Sequence, residues 1–139
     1  VLSLSSYNKR FSLRDAKRKA VAQTFVAGDD LIFQLESGYG LLRVLAIEES
    51  ERGTIWHLLA YEELFPDVET AEKALAAPVT LQARVPHMAL TDRAFERTPA
   101  ALLGNRPVLD EELKGYREWL ASDERIVSDR SALLMLGIR

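Results

Sequence analysis

The sequence reads as a single α+β domain. Its centre is a strongly bent, antiparallel five-stranded sheet closing toward an SH3-like barrel, with helices flanking it at the N- and C-terminal ends. Three observations lead there. Between Leu31 and Tyr61, apolar residues alternate at period two or run on both parities, with turn residues between the runs. Gly40 lies inside the second of these runs, where a bulge or sharp bend lets a strand curl. Helical spacing is confined to the two ends and one short connection. The 139 residues, 47% hydrophobic and 28% charged, suit one soluble domain and exclude a disordered tail or a fibrous repeat. The expected layout is residues 1–27 as a basic helical segment, 28–107 as the β core, and 108–139 as C-terminal helices.

The elements follow in order. Ser12 to Thr24 has an N-cap serine and a narrow stripe of Leu13, Ala16 and Ala20, which predicts a first helix. Ala27-Gly28-Asp29-Asp30 is turn chemistry. Leu31 to Glu36 alternates as a strand, and Ser37-Gly38 predicts a hairpin. Tyr39 to Glu48 is apolar on both parities, as in a central strand buried on both faces. Residues 49–53 form a polar loop, and Thr54 to Tyr61 is a third strand rich in β-branched and aromatic residues. Residues 68–77 carry Val68, Ala71 and Leu75 at helical spacing. Val79 to Val85 alternates without error and predicts a fourth strand that Pro86 closes. Phe95 is expected to be buried, and a short fifth strand is expected near Ala101 to Leu103. Asp110 is placed as the cap of a helix through Ala121, and Ser128 as the cap of a last helix ending at Gly137.

Composition limits the chemistry. With no cysteine, disulfides, thiolate metal sites and a Cys nucleophile are excluded, and a reducing, cytoplasmic setting is expected. The longest apolar run is far too short to span a membrane, so no membrane partner is expected. The two histidines, His57 and His87, match no metal-binding motif, and each reads as a structural or surface residue. Gly38-Tyr39-Gly40 lacks the further residues of a phosphate-binding loop. No nucleophile elbow is present. The chain is therefore expected to be non-enzymatic, with no cofactor, no metal and no catalytic residue. A small hydrolase stays open as a further reading; it requires His57 or His87 in a concave pocket beside a carboxylate.

The net charge of −3 is unevenly spread. Residues 1–28 hold six Lys/Arg and one Asp, a net +5, whereas residues 29–76 hold three Lys/Arg and eleven Asp/Glu, a net −8. Such a field steers charged partners. The expected partner-binding set is Tyr39, Glu48, Glu49, Glu51, Glu62 and Glu63: an acidic surface with an aromatic anchor, Tyr39 being the aromatic most expected to be exposed. Trp56, Tyr61 and Trp119 are further candidate anchors, of which Trp119, on an amphipathic helix, reads as a core residue. The basic segment supports an alternative, a nucleic-acid-associated accessory protein using Arg14, Lys17 and Arg18. Against it stand the acidic middle of the chain and the scarcity of aromatics in the basic segment.

The run Gly28-Asp29-Asp30-Leu31-Ile32-Phe33-Gln34-Leu35, then Gly38-Tyr39-Gly40, then Arg43-Val44-Leu45, resembles the opening of immunity protein family 26 of bacterial polymorphic-toxin systems. The resemblance covers residues 27–64, with an echo at Ala101 to Pro107. It implies an SH3-like β-barrel core and a role in binding and neutralising a cognate toxin; the acidic surface would then face a basic surface of that toxin. It brings no catalytic residue. The basic helix and the helices after Asp110 lie outside its pattern.

Overall fold

A computed structural model describes residues 24–51 and 53–132. The predicted first helix up to Gln23, and with it Arg14, Lys17 and Arg18, lies outside the described residues, as does the end of the predicted last helix. Five strands form one antiparallel sheet: β1 (Asp29–Leu35), β2 (Gly38–Ser50), β3 (Gly53–Phe65), β4 (Ala83–Thr91) and β5 (Ala100–Asn105). Their order is β4-β3-β2-β1-β5, so β2 is central, as its apolar residues on both parities require. Among the described residues three helices accompany them: α1 (Val68–Ala76), α2 (Asp92–Glu96) and α3 (Lys114–Ala121). The fold is α+β. The sheet is open, with β4 and β5 as its two edges.

The sheet bends at irregularities in register. Pairing of β2 with β3 shifts between Gly40 and Leu42 and again between Val44 and Ala46. Gly40 faces Phe33 across the β1–β2 ladder, and a Cβ there would lie 2.5 Å from the Phe33 ring. The glycine lets the aromatic ring lie over the backbone. Gly28 has φ +93°, and a Cβ there would meet the Arg106 carbonyl at 2.5 Å. Only glycine suits that position.

Each face of the sheet carries a core. On one, Leu31, Phe33, Leu42, Val44, Trp56, Leu58, Met88 and Leu90 pack with Phe95 from α2. The Trp56 and Phe95 ring centroids are 4.8 Å apart, and the Trp56 indole donates to Asp92. On the other face Ile32, Leu41, Phe65 and Leu103 pack with Ala71 of α1. Asp67 caps α1 by accepting from the Thr70 N–H at 2.7 Å.

Four expectations are corrected. Of the alternating run Val79 to Val85 only the end is strand: Pro78–Thr80 is a 3-10 turn, and β4 starts at Ala83. Pro86 does not close β4 but lies within it. From Val85 to Met88 β4 takes three steps while β3 takes two from Ala60 to Leu58, so Pro86 sits at a bulge on an edge strand, where its missing N–H costs no ladder bond. α2 was not expected; Thr91 caps it by accepting from the Ala94 N–H. Asp110 does not cap a single long helix. Asp110–Leu113 is a 3-10 turn, begun where the Glu112 carboxylate accepts the Leu109 N–H at 2.8 Å, and α3 follows it. Ser128 instead bridges to Leu90 beside β4.

Candidate functional site

The second face of the sheet, beyond its apolar centre, is polar and largely buried. In β3 the parity that sends Trp56, Leu58 and Ala60 into the first core sends His57, Leu59 and Tyr61 to this other face. His57 pairs with Ala46 on β2 and with Ala89 on β4. Two residues along each of those strands stand Glu48 and His87, diagonal neighbours of His57 on the same face. The three side chains meet. His57 Nε2 lies 3.1 Å from Glu48 Oε1, and His57 Nδ1 lies 2.9 Å from His87 Nε2.

With both rings neutral, one arrangement satisfies both contacts. His57 donates from Nε2 to the carboxylate, and His87 donates from Nε2 to the bare Nδ1 of His57. Burial pushes the His57 pKa below its ordinary value against the opposing pull of Glu48. Burial, then the positive charge His57 would carry, lowers that of His87 to about 4. Both imidazoles are therefore neutral at pH 7. α3 roofs the pair. Tyr116 and Trp119 place ring centroids 4.4 and 4.7 Å from that of His57. A Cβ on Gly115 would lie 2.9 Å from the His87 Cβ, so the glycine sets how closely α3 approaches β4.

A second polar cluster lies on the same face. Arg43 is fully buried in the central strand. Its guanidinium donates to Asp30 at 3.2 Å, to both Glu112 oxygens at 2.6 and 3.1 Å, and to the carbonyls of Gly28, Arg106 and Pro107. Arg106 grips the same buried Asp30 at 2.7 and 3.0 Å and donates to the Tyr61 hydroxyl at 3.2 Å. The charges alternate as Arg106, Asp30, Arg43 and Glu112, so this cluster is neutral as a whole. The hydrogen bonds that Arg106 donates to Asp30 hold its pKa above the ordinary value. Burial works to raise that of Glu112, but the Arg43 fork and the Leu109 N–H keep it low. This cluster fastens residues 106–112 across the sheet.

The predicted partner-binding residues do not form one patch. Glu48, Glu49 and Glu51 stand at the tip of the β2–β3 hairpin, which runs beyond β1, since β1 pairs with β2 only through Arg43. Glu49 and Glu51 are exposed, with Thr54 Oγ1 donating to Glu49. Glu48 is turned partly inward to His57. Glu62 and Glu63 lie toward the opposite end of β3, up to about 33 Å along the strand from Gly53 at the tip, at ~3.3 Å per residue. There the Glu63 carboxylate accepts the Gln82 N–H. Tyr39 is half-buried rather than exposed, because its register opposite Phe65 packs it on the second core.

The chain matches no protein-family model, no curated protein and no solved structure.

The geometry alone therefore describes the site. His57 and His87, each read from the sequence as a structural or surface residue, are joined through one hydrogen bond, and His57 has a carboxylate beside it. Cavities of about 390, 590 and 360 Å³ lie elsewhere, and neither histidine lines them. Among the described residues no group of three His, Cys, Asp or Glu side chains is placed to hold a metal ion. No helix among them is long and apolar enough to cross a membrane. Sequence reading missed the Arg43 cluster. Its signal was a lone arginine between Leu41-Leu42 and Val44-Leu45 in a strand buried on both faces, a position that demands charged partners.

Proposed function

We propose that the chain is a non-enzymatic, cytoplasmic binding protein that docks a basic protein partner, as an immunity-type inhibitor of a bacterial toxin. The observation that carries this reading is the hairpin tip, where Glu49 and Glu51 are exposed, beyond the reach of β1, on two 13-residue strands. A hairpin paired up to Ser50 and Gly53 presents these charges on a preorganised backbone, which favours fast, electrostatically guided association. The register shifts of β2 support the curl that an SH3-like scaffold requires. The inward use of both histidines supports a structural role for them and leaves docking to the acidic surface. In the test, the chain is co-expressed with the toxin domain encoded by the neighbouring gene, and cell survival is scored. Wild-type protein restores growth, and the Glu49→Lys/Glu51→Lys variant, folded by circular dichroism, restores it poorly. Equal protection by both, or a neighbouring gene that encodes no toxin, contradicts the proposal.

A further inference from the structure

A cavity of about 390 Å³ opens between the 3-10 turn after α1 and the segment that follows β5. Its wall includes Leu59 and Leu81, and Val79 and Leu109 line its mouth. These last two are among the large apolar side chains most exposed to water, at 93% and 53%. Apolar groups left on a cavity rim mark a place where another apolar surface seats.

The charges around the cavity select what can seat there. Arg106 lines it, but two of its guanidinium nitrogens grip Asp30, whose charge it matches. Glu112 lines it too, with both oxygens already taken by Arg43 and the Leu109 N–H. The Glu111 carboxylate is exposed, and among the described residues it has no hydrogen bond or ion pair. Glu63 adds a further negative charge nearby, held against Gln82 between the wall residues Leu81 and Ala83. The unmatched charge at the mouth is thus negative, above an apolar wall.

We infer that this cavity is a binding site for an aliphatic cation: an alkyl chain against Val79, Leu81 and Leu109, with an ammonium or guanidinium group at Glu111. In the complex proposed above, that occupant is a lysine or arginine side chain of the partner, and only this naming of its source rests on that reading. Long basic side chains combine such a stem with such a head group.

The test uses the chain alone, with methyl-labelled protein titrated by n-hexylammonium and, in parallel, by hexanoate. Hexylammonium is expected to shift the Val79, Leu81 and Leu109 methyl signals, and Glu111→Gln to weaken its binding about fivefold, while hexanoate binds more weakly than the amine. Stronger binding of hexanoate, which would pair with Arg106, overturns the inference, as does the absence of any shift with either compound. No toxin takes part, so failure here is distinct from failure of the protection assay.

Discussion

His57 Nε2 and Glu48 Oε1 lie 3.1 Å apart, although the imidazole is fully buried and the carboxylate side chain is 37% exposed. This one contact links the polar interior of the sheet to the acidic hairpin tip. On the far side of His57, His87 extends the hydrogen-bonded row to β4, and α3 covers it.

That row makes stability depend on pH. The His87 pKa falls from 6.5 to about 4 on folding, and that of His57 is also lowered. For a base with a depressed folded pKa, the unfolded chain binds protons first. The contribution is complete above the unfolded value of 6.5 and is lost as pH falls from there to about 4. Allowing for partial exposure of His87, the loss is on the order of 2 kcal/mol. Urea midpoints measured from pH 7.5 to 4.5 should fall accordingly, and less so for His87→Gln. A flat profile above pH 5 would contradict this account.

The helix roof gives a second expectation. Gly115→Ala would place a methyl 2.9 Å from the His87 Cβ and force α3 outward. Water then reaches the imidazole, and its pKa should climb from about 4 toward 6.5. The accompanying loss of stability is about 1–2 kcal/mol. NMR titration of the His87 ring protons reads the shift directly, and an unchanged titration curve would show that α3 does not keep water from His87.

Arg43 carries the third. Arg43→Met leaves Glu112 without its fork and three carbonyls without that donor, while Asp30 keeps only Arg106. The expected cost is about 3–5 kcal/mol. Residues 106–112 should also lose amide-exchange protection, since the arginine is what holds them down. A loss below about 1 kcal/mol with protection intact would show the cluster to be incidental.

Much of the sheet was legible because β1, β2 and β3 obey simple rules: alternation where one face is wet, continuous apolar character where both are covered. The limits were equally physical. Val79 to Val85 alternates by chance, and Pro78 fixes a 3-10 turn there, so Val79 ends in water rather than in a core. The buried half of β4, Met88 to Leu90, was hidden behind a proline that an edge bulge tolerates. Spacing along the chain says nothing about which polar residues meet across strands. His57 and His87 are thirty positions apart and touch only because β3 and β4 pair in one register. The five glutamates were grouped by charge alone, and the length of β3 separates them.

Stopped-flow measurement of association with the neighbouring toxin domain, across a range of salt concentrations, tests the docking role most directly. The wild-type rate should fall steeply as salt rises, and Glu49→Lys/Glu51→Lys should slow it at least tenfold at low salt and flatten its salt dependence. A rate indifferent to salt and to both substitutions would mean that the hairpin tip is not where the partner docks.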